Sequence, residues 1–410
     1  MKKMIKQVGE TYLSQILLGL LGIPIGVMVG AIDAGFGKIL LKITDIRQLY
    51  PQYFIPFLPL AGLVLVSCYQ RFGGKSGKGM NLVFEVGHGE EDSIPLRLIP
   101  FAIVGTWMTH LFGGSAGREG VAVQIGATCS HWVGRRLPIV NASLIFLVVG
   151  MAAGFAGLFQ TPIAAVLFAM EVLVARELRY EALFPALTAA FAASMTSSWM
   201  GLEKFSFALS DVVSFDPMLP LKLLALGILF GLVGGAFAWL LKITKTWMAD
   251  KLKNPLLRVG LLGVGLSVLF LLFGQGRYSG LGTNLINASF QDGVIYEWDW
   301  LLKLFFTILT LSAGFQGGEV TPLFSIGASL GVISAGILGL PIQFTAAMGY
   351  AAVFGSATNT LLAPVLIGAE VFGFEYLPYF CVVCAIAYIF NMNQSIYLRQ
   401  IRQKVGSSSS

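Results

Sequence analysis

Two glutamates stand where a charge is costly. Glu119 lies in GGSAGREGVAVQIGA (Gly113–Ala127), between Leu98–Gly117 and Gly120–Val133, and neither stretch holds an Asp, Glu, Lys or Arg. Glu319 lies in GFQGGEVTPLF (Gly314–Phe324) and is followed by the uncharged stretch Val320–Ala369. An acid kept in hydrocarbon usually faces a cavity or a pathway. A buried carboxyl can bind and release protons, and it can compete with a dissolved anion for the same donors. Glu119 therefore reads as the door of an ion path, or more plainly as an acid at a helix N-terminus in an interfacial loop. Glu319 has the same plainer alternative, an acid stabilised by the helix dipole.

Glycine breaks must position both acids. Gly113, Gly114, Gly117 and Gly120 surround Glu119, and the pair Gly317–Gly318 precedes Glu319. A third break lies in RFGGKSGKGMNLVFEVG (Arg71–Gly87). It leads into Asn81–Val86, which is too short to span and reads as re-entrant. Irregular backbone at membrane depth is tolerated only where protein buries it or where it lines a polar cavity. Gly79–Met80–Asn81, Gly117–Gly120 and Gly318–Pro322 each precede an apolar helical stretch. Each break presents unpaired N–H groups and a positive dipole end. Several such ends converging make an anion site. A cation site would show several acids or exposed carbonyls instead.

Composition sets the class. Of 410 residues, 56% are hydrophobic and 12% are charged, against roughly 25% charged in soluble domains. The mean hydropathy is +0.78. This is an integral membrane protein of helices. Its net charge of +6 comes from residues at the junctions of apolar runs: Lys2, Lys3 and Lys6; Lys75 and Lys78; Arg135 and Arg136; Lys251, Lys253 and Arg258; Arg399, Arg402 and Lys404. That is flanking charge of the positive-inside kind, not a nucleic-acid patch. Cys381 and Cys384 have CxxC spacing inside YFCVVCAIAYIF, an apolar setting that suits packing better than redox or metal chemistry. His88, His110 and His131 have no ligand spacing. No metal, cofactor or enzymatic nucleophile is expected.

The chain divides into a cytoplasmic segment over 1–10, a first membrane repeat over 11–210, a second over 211–400, and a tail over 401–410. The tail ends in Gly406–Ser410, read as an expression remnant. The N-terminal run Thr11–Ile32 is a retained helix rather than a cleaved signal, and its Gly19, Gly22, Gly26 and Gly30 suit close helix approach. Further spans are expected in Gln48–Gln70, Leu98–Gly117, Gly120–Val133, Ala182–Leu202, Leu223–Leu241, Val259–Gly276 and Leu304–Gly318. Leu137–Met170 holds two pieces joined near Phe159–Pro162, and Tyr376–Tyr397 closes the membrane part. Arg277–Asp299 reads as an exposed polar loop.

The two halves are related. At an offset of 201, Gly117, Ile125, Gly126 and Ala127 fall on Gly318, Ile326, Gly327 and Ala328. At 199, Gly150, Ala152, Ala153, Phe155, Thr161, Ala164, Val166, Leu167 and Glu171 fall on identical residues of Gly349–Glu370. Homologous halves with broken helices at matching places point to a transporter whose site lies at the repeat interface.

The ordered motifs resemble the anion-site motifs of the CLC family. They are GMNLV at Gly79–Val83, GREGV at Gly117–Val121, GEVTP at Gly318–Pro322, and Tyr397 near the C-terminal end. CLC chloride carriers have Ser where Met80 stands, Pro where Val121 stands, and usually an apolar residue where Glu319 stands. Met80 together with Glu319 is similar to the bacterial fluoride/proton antiporter branch. The resemblance implies an all-α inverted-repeat bundle of tilted, broken helices, a homodimer in the bacterial inner membrane, and export of fluoride against protons. It also implies Glu119 as the gating carboxylate and Glu319 as the central acid. The implied anion site is Gly79, Met80, Asn81, Gly120, Glu319, Val320 and Tyr397, although an interfacial role suits a terminal tyrosine too. The inner proton acid of chloride exchangers is not placed; Glu203 does not align. A chloride channel or chloride/proton exchanger of the same fold is the alternative.

Overall fold

The computed structural model describes residues 2–209, 216–291 and 293–402, with side chains from Ser14 onward. The side chains of Lys2, Lys3 and Lys6, Lys404 and the Gly406–Ser410 tail lie outside the described residues, as do residues 210–215 of the halfway connector.

The first half runs through α1 (Lys2–Leu49), α2 (Pro51–Phe54), α3 (Leu58–Cys68), α4 (Met80–Gly87), α5 (Leu98–Leu111), α6 (Glu119–Gly134), α7 (Ala142–Phe159), α8 (Pro162–Glu171) and α9 (Leu183–Trp199). The second half runs through α10 (Leu219–Lys251), α11 (Pro255–Leu272), α12 (Thr283–Phe290), α13 (Asp299–Ala313), α14 (Val320–Leu338), α15 (Ile342–Thr358), α16 (Leu362–Phe372) and α17 (Leu377–Ile389). Among the described residues, six helical stretches are long and apolar enough to cross a bilayer.

Helix α1 extends well past Ile32, because nothing between Ile32 and Leu49 breaks a helix as strongly as the proline at 51. Its glycines lie against α9: a Cβ on Gly26 would stand 2.2 Å from the Ala189 carbonyl oxygen, and one on Gly30 2.4 Å from that of Ala193. The expected join between Leu137 and Met170 is Gln160–Thr161, where Gln160 takes a left-handed φ of 59°.

The expected exposed loop over Arg277–Asp299 holds only for its second part: Gly293–Trp298 is irregular and largely exposed, whereas Arg277–Phe290 is not an exposed loop. It contains α12, and Leu281, Leu285, Ile286 and Phe290 are buried along it. These apolar residues recur at helical spacing, which the abundance of polar neighbours obscures. The polar residues satisfy one another: Asp299 Oδ1 accepts from the Tyr278 hydroxyl at 2.7 Å, and Oδ2 from Arg277 Nη2 at 2.6 Å.

The halves meet in inverted fashion. Gly117 N donates to Gly318 O at 2.5 Å and Gly318 N to Gly117 O at 2.8 Å, an antiparallel bridge between repeat mates. A pseudo-two-fold axis therefore passes between them. Farther out, Glu171 at the end of α8 accepts from Leu361 N, Leu362 N and Ala363 N at the start of α16, at 3.2, 3.1 and 2.8 Å. Its mate Glu370 accepts from Ile163 N and Ala164 N at the start of α8, at 3.3 and 2.8 Å. Each half closes a helix start of the other, satisfying N–H groups that a helix cannot bond internally.

The tightest contacts repeat as well. A Cβ on Gly126 would lie 2.0 Å from Gly150 O, and one on Gly327 2.1 Å from Gly349 O. Backbone fills both places, so neither neighbour can give. Gly126→Ala and Gly327→Ala are each expected to cost about 3 kcal/mol, the upper range for overpacking. Gly336→Ala is the control, since no atom lies within 4 Å of its Cβ position. Thermal unfolding in detergent with size-exclusion profiles reads the difference. Equal melting temperatures for Gly126→Ala and Gly336→Ala would refute the close-contact account.

Candidate functional site

Three helix starts converge on one cavity of about 280 Å³. Gly79, Met80 and Asn81 enter from α4, Gly120 from α6, Gly318 and Glu319 from the start of α14, and Tyr397 from beyond α17. Gly79 has a left-handed φ of 54°, which turns the chain into α4 and which an L side chain resists. First-turn N–H groups of these helices have no intrahelical acceptor and carry the positive end of the dipole. The cavity is therefore suited to an anion without requiring a bound cation.

Tyr397 is buried, with its ring against Phe84 (5.2 Å between centroids) and Phe168 (6.3 Å). Its hydroxyl has no protein partner and belongs to a residue of the cavity wall. This is not the setting of an interfacial anchor. Glu319 is half-buried, and its Oε1 lies 3.8 Å from Lys245 Nζ.

Glu119 and Val320 are not part of the wall. Both are fully enclosed just behind it. Glu119 Oε2 accepts from Thr321 N at 3.1 Å, from Thr321 Oγ1 at 2.5 Å and from Arg118 N at 3.3 Å. Oε1 lies 3.5 Å from Arg118 Nε and accepts no hydrogen bond. The carboxylate of the first half thus sits on the helix start of the second, in the manner of a bound anion. The pseudo-two-fold axis explains this meeting. It passes between Gly117 and Gly318, so residues just downstream in both halves must face each other.

Sequence reasoning did not single out Thr321, Lys78, Gln124, Lys245 or Gln316, of which the last four are on the wall. Lys78 counted as flanking charge; it pairs with buried Glu85 at 2.6 Å and with Glu91 at 3.1 Å. Arg399, two residues beyond Tyr397, reaches the same Glu85 at 3.1 Å. Glu85 therefore ties the approach to α4 to the segment that carries Tyr397. Outside the spans, Lys75 and then Lys78 hold the Glu91 carboxyl below the usual carboxylate range. The repeat itself was the available signal for Thr321, since it lies one residue past Val320, the mate of Glu119. Lys245 carried no local signal.

The sequence profile of voltage-gated chloride channels matches residues 61–392. The chain belongs to that family, the CLC family. A chloride/fluoride channel protein of Pseudomonas syringae pv. tomato is 35% identical over 391 residues, 94% of this chain and 85% of the relative. The crystal structure of a CLC-type fluoride/proton antiporter superposes with a TM-score of 0.94 at 55% identity, covering 96% of this chain and 99% of that one. A slow cyanobacterial Cl⁻/H⁺ antiporter shares the fold, with a TM-score of 0.78 at 21% identity over 91% of this chain and 94% of its own. Like other CLC-family members, this chain is a membrane transport protein and not an enzyme.

Proposed function

We propose that this CLC-family protein exports fluoride in exchange for protons, as one of two identical subunits in a bacterial inner membrane. In this reading the two membrane repeats are 11–210 and 211–400, and the antiparallel contact of Gly117 with Gly318 supports a site at their shared axis. The observation that carries the reading is the Glu119 carboxylate on Thr321 N and Oγ1. A carboxylate held on a helix start by two donors can be exchanged for an anion, and once protonated it no longer competes for those donors. The likeness to a fluoride/proton antiporter at 55% identity supports the choice of ion.

In this reading, fluoride enters the cavity and takes the N–H groups at the start of α4 and that of Glu319. A protonated Glu319 carboxyl and the Tyr397 hydroxyl complete the shell that replaces water. Glu119 moves between Thr321 and the path, carrying a proton one way as fluoride goes the other. The test is fluoride efflux from proteoliposomes with simultaneous pH recording. Fluoride gradients should drive proton movement, and chloride gradients should drive far less. Equal coupling to chloride would make the protein a chloride exchanger, and the fluoride reading would fall.

Met80 offers no hydroxyl donor at the start of α4. Met80→Ser should raise chloride flux relative to fluoride roughly tenfold, the worth of one hydrogen bond to a charged group. An unchanged flux ratio would reduce Met80 to packing.

A further inference from the structure

Lys303 is fully buried in α13, and the path described above does not use it. Its Nζ donates to Ser115 Oγ at 2.9 Å, Tyr278 O at 3.1 Å and Gly280 O at 2.7 Å. All three acceptors lack a formal charge. A lysine held inside a membrane protein on neutral oxygens is costly. A second buried cation, Arg47, converges on the same place. Its Nη1 donates to His110 O at 3.0 Å and lies 2.2 Å from where a Cβ on Gly280 would stand.

These contacts reach the loop that leads to Glu119 directly through Ser115 and indirectly through Gly280. Lys303, Thr307 and Thr310 form one face of α13. Thr307 Oγ1 meets Ser115 Oγ at 2.8 Å, and Thr310 Oγ1 accepts from Ser115 N at 3.2 Å. Gly280 N donates to Gly114 O at 3.0 Å, and Ala116 N donates to Gly280 O at 3.3 Å. Gly117 is then fixed by its bridge to Gly318. The backbone ahead of Glu119 is clamped at every residue from Gly114 to Gly117.

The repeat provides an internal control. At the offset of 201, Thr307 and Thr310 fall on Thr106 and Thr109, whereas Lys303 falls on Ala102 and Ser115 on Gln316. The fold thus builds the corresponding helix, α5, and its break without a lysine. That other break carries Val320 where this one carries Glu119. The lysine accompanies the acid.

We propose that Lys303 is a positioning residue for the Glu119 gate. Through the Ser115 hydroxyl and the Gly280 carbonyl it helps tie the Gly114–Gly117 loop to the second half, so that the Glu119 side chain moves while its main chain does not. Coupling depends on that fixity: a loop free to shift with the carboxyl lets fluoride past without a proton. This inference rests on the fluoride/proton reading given above.

The experiment compares the wild-type protein with Lys303→Met and Ser115→Ala in proteoliposomes, recording fluoride and proton fluxes together. Lys303→Met removes the charge and all three bonds at nearly constant length. Ser115→Ala leaves the lysine in place and removes one acceptor, so it reports on the clamp even if Lys303→Met does not fold. Protons moved per fluoride are expected to fall at least threefold in Lys303→Met and measurably in Ser115→Ala. A residue that merely stabilises the fold lowers both fluxes together and leaves their ratio unchanged. Wild-type ratios in Ser115→Ala and in any folded Lys303→Met would overturn the proposal. If the wild-type protein itself moves no protons with fluoride, the antiport reading fails instead, and the clamp with it.

Discussion

Replacing Glu119 by glutamine is expected to abolish proton-coupled fluoride transport. The substitution keeps the size of the side chain, and its carbonyl oxygen still accepts from Thr321 N and Oγ1, where Glu119 Oε2 now sits at 3.1 and 2.5 Å. It removes the one property that coupling needs, a group that gains and loses a proton. Removal of a positioned proton-transfer group costs about 100-fold or more, and fluoride-driven proton flux should drop by at least that factor. Fluoride leakage without protons is compatible with this outcome, because an amide binds the helix start less tightly than a carboxylate does. The measurement is proton movement against its gradient, driven by fluoride. If Glu119→Gln still performs it, the gate lies elsewhere.

Glu319 should respond differently to two substitutions. Its repeat mate is Arg118, not the gating acid, so symmetry does not account for a carboxyl here. It borders the cavity with Lys245 Nζ 3.8 Å away. Glu319→Gln keeps shape and a donor but fixes the group neutral. Fluoride should still bind, while turnover falls about 100-fold, the scale of a lost proton carrier. Glu319→Ala removes the donor as well, so binding should weaken about tenfold, equivalent to one hydrogen bond to an anion. Calorimetry with fluoride beside flux measurements separates the two variants. Normal turnover in Glu319→Ala would leave Glu319 as no more than an acid at a helix start.

Much of this site could be read in the chain because glycine breaks and stranded acids are local signals. Gly79–Asn81, Gly120 and Gly318–Glu319 each stand next to their own break, and the repeat tied the breaks together. What brings Thr321 to Glu119 is different in kind, since 202 residues separate them. Only the axis through Gly117 and Gly318 makes them neighbours, and sequence offers a repeat without saying how its copies face. Lys245 and Lys303 were hidden for a second reason. Lys245 lies near the end of α10 between Lys242 and Lys251, where it reads as flanking charge, and Lys303 is the single lysine of the otherwise mostly apolar α13, which does not reveal whether it snorkels outward or bonds inward. Lys303 bonds inward. The part of the expected loop that is folded and buried, Arg277–Phe290, was missed for a third reason. Polar residues that pair among themselves, as Asp299 does with Arg277 and Tyr278, look like exposed ones until their partners are known.

The exchange of caps between Glu171 and Glu370 bears on how such a chain is made. The start of α8 is left open until Glu370 has been synthesised, about 200 residues later, whereas the acid that closes the start of α16 is already present when that helix is made. Each half completes a helix start of the other. Two copies of one half, related by a two-fold axis, would make the same pair of contacts with a single glutamate, because in such a contact each residue meets its counterpart reciprocally. The present chain keeps that geometry with its two partners joined end to end. The halves supplied as separate polypeptides retain matching ends: each brings the carboxylate that the other's helix lacks.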